Sequence, residues 1–461
     1  MSDSQGPAPA AAGLDAAPPI AAYRHPWRVA IIAGLASYVD GAALTANGIA
    51  LVIYQQTIGF TANEIGLLTA VVTFALAIGA LVGGRAGDLY GRRKVFIVTM
   101  VLIVLGALAP TFGSEFWLLF AGLALLGFGV GADLPVSLAT IAEAATEKNR
   151  GAMLVFSHAM GIAASLTVVL ITASTGSLGE LSGRLLYGLI LVVGTLALLL
   201  RLTVPESPLW LQAREERRRG IHTIRADKAQ LRDLLRPPFR RPFLVLTVFY
   251  ALTLAASTIT GYSIYIAANV AKIPVAGFVP YSLLLFPIAF VGLGLFMKFV
   301  DGRLRMPLFL IGGALVAGGL LIPVVFGINL ITILAALGIT AIGQISSGEP
   351  IARVWGNEVF PTMLRSTGQG FVFTFGRIFT ALVIVVLPAV IAFSPSLAYA
   401  GSAVAVVLGV LIGWLGFRGG RIANEFQHEQ EPDPEFASAG TSLKTCEAEP
   451  GVPKLASVSA S

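Results

Sequence analysis

Charge is what this sequence most lacks. Only 12% of its 461 residues are Asp, Glu, Lys or Arg, about half the share in an ordinary soluble domain. Hydrophobic residues make up 56%. A soluble fold could not cover that much apolar surface with polar groups, whereas a bilayer solvates it directly. Cysteine is nearly absent: one residue, Cys446, stands in a polar tail. That excludes a disulfide within the chain and any cysteine-built metal site. Histidine is scarce, with four in all. The chain carries no His/Asp metal pattern, no serine-centred nucleophile motif and no phosphate-binding loop, so no enzyme, cofactor or metal site is expected. Residues Met1 to Tyr23 are rich in Ala and Pro and have no basic segment. They are expected as a disordered tail, not a signal peptide.

Long apolar runs are what is abundant. A spanning helix needs about 20 mostly apolar residues. Twelve runs qualify, at about 28–54, 65–84, 95–112, 116–143, 152–175, 184–203, 243–270, 279–299, 307–327, 329–355, 367–393 and 396–417. The fold class expected is an all-α membrane protein of twelve transmembrane helices. Its organisation is a tail (1–27), a six-helix half (28–204), a central loop (205–242), a second six-helix half (243–417) and a disordered tail (418–461). The 51 glycines suit helices that approach closely.

The formal charge of +6 reflects topology, and no nucleic-acid partner is implied. With the N-terminus in the cytoplasm, the outer loops hold only Arg184 and Lys272, while the inner loops and central loop hold the rest of the loop cations. The positive-inside rule then puts both termini in the cytoplasm of a multi-pass protein of the cell membrane, with lipid as a partner. Trp27, Trp210, Trp355 and Trp414 at inner helix ends and Trp117 at an outer one read as an aromatic belt. Arg214–Arg219 reads either as an amphipathic helix on the anionic leaflet or as a solvated linker. Nothing demands an oligomer, and a monomer is expected.

The two halves repeat. Pro135, Glu143 and Arg150 recur as Pro350, Glu358 and Arg365, at 350−135, 358−143 and 365−150, or 215 each time; Asp88 and Arg92 recur as Asp301 and Arg305, 213 on. Two parallel six-helix halves related by an axis along the membrane normal are a known transporter plan.

The loop after the second span reads Gly83-Gly84-Arg85-Ala86-Gly87-Asp88-Leu89-Tyr90-Gly91-Arg92-Arg93-Lys94. It resembles the signature loop of the major facilitator superfamily. Pro205-Glu206-Ser207-Pro208-Leu209-Trp210-Leu211 is similar to the motif of its sugar porters and metabolite symporters, as are Glu143 with Arg150-Gly151 and Glu358-Val359-Phe360-Pro361 with Arg365. The resemblance covers about residues 28 to 417. It implies the major facilitator fold, alternating access, and an inner gate of Gly83, Gly87, Asp88, Gly91, Arg92, Arg93, Glu143, Arg150, Glu206, Asp301, Arg305, Glu358 and Arg365. In this family the signature loop locks the halves outward-facing. The chain departs from the sugar porters in three places. Leu123 stands where they carry an Arg, and His158 where they carry a Gln. Thr258, Thr260, Gly261, Tyr262, Ser263 and Tyr265 replace their seventh-span Gln and Asn. Asp133 before Pro135 is closer to metabolite and aromatic-acid symporters. The substrate expected is a small polar metabolite, an organic anion or a sugar, moved with protons.

An ionisable group inside a span costs about 2.5–3.5 kcal/mol on insertion scales, so each one reads as functional or paired. Asp40 lies about twelve residues, or about 18 Å, into the first span. It is a proton-site candidate, or else a structural Asp. Arg377 lies near the middle of the eleventh span. It can hold a carboxylate through parallel donors, or pair with Asp40 or Glu349. Glu349 and Arg353 are four apart and can pair beside Pro350, which interrupts the helix; Glu349 is also a proton-coupling candidate. Asp133 is a second proton-site candidate, or else a partner of Arg150 or His158. His158, Tyr262, Tyr265, Gln344 and Asn47 are candidate substrate contacts, with packing as the alternative for each. A uniporter or exchanger of the same solutes, and a non-transporting membrane sensor, are the rival readings.

Overall fold

The computed structural model describes residues 23–227, 230–272, 283–418, 424–428 and 431. Among them, eleven helices are long and apolar enough to cross a membrane, and a further apolar helix, Leu285–Phe299, is shorter. The first six spans are Pro26–Thr57, Ala62–Tyr90, Arg92–Phe112, Phe116–Ala144, Arg150–Thr175 and Glu180–Arg201. The seventh is Arg240–Gly261 continued by Ser263–Asn269, the eighth Leu285–Phe299, the ninth Arg305–Phe326, the eleventh Arg365–Phe393 and the twelfth Pro395–Phe417. The tenth comes in two pieces, Leu330–Ser347 and Glu349–Glu358. The expected start of the eighth span at 279 lies outside the described residues, as do 1–22 of the first tail and most of 418–461.

Local chemistry explains the breaks and turns. Gly348 (φ −104, ψ −142) separates the two pieces of the tenth span. Pro350 then sits in the first turn of the second piece, where its missing N–H is no loss. The second span opens on a capping box, with Thr61 and Glu64 bonding each other's backbone. It stops at Gly91, whose φ of +102 suits glycine; a Cβ there would also strike the Glu206 carboxylate.

Within each half, neighbouring spans pack through small residues, as the second does on the fourth and the ninth on the tenth. Between the halves, the second span packs on the eleventh and the fifth on the eighth, as the repeat would require. The first of these crossings is very close. A Cβ on Gly84 would overlap the carbonyl oxygen of Ser366, and one on Gly370 that of Ala80.

Three expectations change. Trp210 and Trp355 are 2% exposed each, so they are not belt residues. Trp210 donates its indole N–H to Asp88 O at 2.8 Å, and Trp355 stacks on Phe417 at 4.1 Å. The central basic stretch belongs to a helix, Pro208–Arg219, capped by Ser207 and ended by Gly220 at φ +70. Its Trp210 and Ala213 are buried in one cluster with Met363, so the apolar face lies on the protein, not on lipid. The second tail holds one described helical turn, Glu425–His428. It is anchored by the contacts of Phe426 with two arginines.

Candidate functional site

Asp40 and Arg377 meet across the halves. The first and eleventh spans bring Arg377 Nη2 to 2.9 Å and 3.2 Å from the two oxygens of Asp40. The side chains are 13% and 9% exposed, Arg377 first. Such a pair is held only if its remaining donors find partners, and here one does not: buried Arg377 Nη1 has no hydrogen-bond partner.

A second bridge lies on the tenth span. Arg353 donates Nη2 and Nε to Glu349 Oε1, at 2.6 Å and 3.0 Å. Its Nη1 reaches into the first half, to Ser37 Oγ at 2.7 Å and Ser157 Oγ at 3.3 Å. Glu349 also faces a cavity of about 200 Å³ between the fifth span and the second half. That is roughly six or seven water volumes. Its polar lining includes His158, Tyr250, Ser257, Gln344, Ser347 and Glu349. Among the described residues lining it there is one carboxylate and no Lys or Arg. The Nδ1 of His158 is buried without a partner in the protein.

Other candidates stand apart from this cavity. Asp133 is enclosed within the first half. It accepts from Arg201 through both oxygens, from Thr99 at 2.8 Å and from Ser137 at 3.2 Å. Its partner is thus Arg201, which stacks over Phe96, and not Arg150 or His158. Asn47 accepts from Tyr187 at 3.1 Å in the core of the first half. Tyr262 and Tyr265 pack edge to face at the break of the seventh span. Tyr262 donates to Ile384 O at 3.4 Å.

The residues expected at an inner gate come together on the face rich in arginine. Asp88 accepts the backbone N–H of Ser366 at 3.2 Å and of Thr367 at 2.7 Å, at the start of the eleventh span. A carboxylate there meets the positive end of the helix. Its repeat partner Asp301 does the same to the fifth span, accepting from Gly151 at 2.7 Å and Ala152 at 2.9 Å. Arg92 binds Asp88 at 2.6 Å, Glu143 at 2.7 Å and the carbonyl of Thr362 at 2.7 Å. Arg365 reaches Glu143 at 3.1 Å, and Arg305 binds Glu358 at 2.7 Å. Glu206 holds the turn itself, accepting the N–H groups of Arg92 and Arg93 at 2.8 Å and 3.2 Å. Gly83 and Gly87 let the second span close on Ala132 and Val136. Arg150 donates to Ala142 O at 3.2 Å. The halves are therefore clasped at this face by hydrogen bonds and ion pairs from both.

Sequence reasoning missed Arg201, which looks like a plain helix end, and Tyr250, whose place on the cavity has no motif. It also missed the reach of Arg353 to Ser37 and Ser157.

Two parallel bundles clasped at one face beside a cavity are the architecture of a membrane transporter. The chain belongs to the Major Facilitator Superfamily, whose family model matches residues 30–384. It is a membrane transport protein and not an enzyme. It is 30% identical over 361 residues to the minor myo-inositol transporter IolF of Bacillus subtilis, covering 76% of this chain and 80% of that one. By structure it is similar to the proton:xylose symporter XylE bound to 6-bromo-6-deoxy-D-glucose, with a TM-score of 0.73, 17% identity, and 88% and 98% of the two chains covered. It also resembles FucP in the outward conformation, with a TM-score of 0.67, 15% identity, and 84% and 98% covered.

Proposed function

We propose that the protein carries a small uncharged polyhydroxylated solute, a polyol or monosaccharide, together with protons, by alternating access. The observation that carries this reading is the cavity lining. Its hydroxyls, amide and imidazole suit hydroxyl groups of a neutral solute, and its one carboxylate is already paired with Arg353. An organic anion would need a cation on the cavity, and its described lining holds none; Arg353 and Arg377 are already ion-paired, with Glu349 and Asp40. The myo-inositol transporter among the relatives points the same way.

The Asp40–Arg377 pair between the halves supports proton coupling. Protonating Asp40 removes the charge that ties the first half to the second. Proton loading and rocking are thereby tied to the same contact between the halves. The arginine-rich face is the cytoplasmic one, by the distribution of loop cations. On this reading the clasped form is the outward-facing or occluded member of the cycle, and the protein works in the plasma membrane.

The test is uptake by purified protein in proteoliposomes, with labelled myo-inositol, xylose, glucose and a set of carboxylates, with and without an inward proton gradient. Gradient-driven accumulation of a polyol or sugar is the expected result. Accumulation of a carboxylate alone would overturn the solute assignment. Equilibration indifferent to the gradient would overturn symport.

A further inference from the structure

We infer that Phe426, from the segment beyond the twelfth span, is a positioning residue of the gate: its ring holds Arg150 and Arg365 together and so stabilises the closed face. The ring centroid lies 3.4 Å from the guanidinium carbon of Arg150 and 3.8 Å from that of Arg365. These arginines are repeat equivalents. Each starts a span, and each donates its Nε to the carbonyl eight residues earlier, Ala142 at 3.2 Å and Asn357 at 3.0 Å. One belongs to the first half and the other to the second.

Two cations drawn to one place repel each other, and an aromatic face offsets that repulsion. Phe426 can touch both only while the starts of the fifth and eleventh spans stand together. Once the halves part at this face, it keeps one arginine at most. A contact made in one state and lost in the other shifts the balance between them. The segment is held in place by its own contacts: Glu425 is 7% exposed, and the backbone N–H of Ile224 in the central loop donates to the carbonyl of Glu431 at 3.2 Å. Among the described residues of the tail, the ring of Phe426 reaches both arginines. Losing the contact with one arginine corresponds to about a tenfold change in the ratio of closed to open gate, or ~1.4 kcal/mol.

The inference rests on the alternation of the two halves proposed above. Its test needs no solute, so its failure is distinct from failure of the solute assignment. The full-length protein, in lipid nanodiscs, is compared by hydrogen–deuterium exchange at peptides covering 143–152 and 358–367, with a peptide covering 119–126 as the fold control. Phe426→Ala and Phe426→Leu should each raise exchange at both gate peptides about tenfold and leave the control peptide unchanged, while Phe426→Trp stays near the parent. Unchanged gate exchange in Phe426→Ala would overturn the role. Protection in Phe426→Leu equal to the parent would overturn the cation–π basis, because leucine keeps the apolar bulk without the ring. If Phe426→Ala also loosens the control peptide, Phe426→Leu against Phe426→Trp decides alone.

Discussion

Replacing Asp40 with asparagine keeps the shape of the side chain and removes its charge. The carboxylate lies 2.9 Å and 3.2 Å from Arg377 Nη2, and both side chains are almost wholly out of solvent. With charge centres roughly 4 Å apart and an effective dielectric near 20, the attraction is about 4 kcal/mol. Removing one partner of such a pair costs about 3–5 kcal/mol, mostly because the other charge is left buried and alone. That loss falls on the state in which the first and eleventh spans touch here. It mimics a permanently protonated Asp40, so the transporter can still rock but can no longer take its drive from a proton. In proteoliposomes, Asp40→Asn should lower gradient-driven accumulation at least tenfold, or ~1.4 kcal/mol, while counterflow exchange persists. Combining it with Arg377→Gln should recover part of the lost thermal stability, with a coupling of about 2 kcal/mol in the double-mutant cycle. Undiminished accumulation in Asp40→Asn, or additive effects of the two substitutions, would refute the reasoning.

Asp133→Asn removes the counter-charge of Arg201 and one of the two oxygens that accept from Arg201, Thr99 and Ser137, and should destabilise the first half by about 3–5 kcal/mol. Thermal melts should show the loss, while the proton-to-solute ratio of the surviving protein stays unchanged. Gly370→Val places a branched side chain against Ala80 and Gly84; the second and eleventh spans cannot then close, and maximal uptake should fall about tenfold or more. Glu349→Gln removes the cavity's carboxylate and leaves Arg353 without its counter-charge. Carboxylates that do not compete with the parent protein should become inhibitors, and equal inhibition of parent and variant would count against the account of selectivity.

Much of the fold was legible because a bilayer imposes length and polarity on every span. The twelve runs, the repeat and the glycine-rich loop all follow from that constraint, and the comparisons place the chain in the family they suggested. The gate was legible for a different reason. Asp88, Glu143, Arg150 and Arg365 stand where apolar runs end, so their charges are conspicuous, and a repeat at a fixed offset ties them in pairs. The centre was harder. Asp40, Arg353 and Arg377 stood out by charge alone, but which carboxylate met which arginine depended on helix rotation and crossing angle. Helical spacing fixes a neighbour four residues away, as with Glu349 and Arg353, and says nothing of a neighbour 337 residues away. Arg201 was overlooked for the same reason: at a helix end it looks like a boundary, and only packing turns it inward to Asp133. The described turn of the tail, Glu425–His428, was not foreseen because one helical turn leaves no periodic signal.

The repeat also bears on the order in which the proposed gate would open. Both halves use one device, an aspartate that caps the first turn of a span in the other half, backed by an arginine and a glutamate. The two copies are not equally dry. Around Asp88, Arg92 and Glu143 the side chains are 0–1% exposed, while Asp301, Arg305 and Glu358 are 12%, 22% and 11% exposed. Hydrogen bonds to charged groups weaken as water competes for them, and a buried pair resists separation far more than a wet one. We therefore predict that the copy centred on Asp301 yields before the copy centred on Asp88 when the halves part, so that amide exchange at Gly151 and Ala152 runs ahead of that at Ser366 and Thr367. A symmetric clasp would have to break everywhere at once. An asymmetric one divides the barrier into two smaller steps, which suits a carrier that must never be open at both faces.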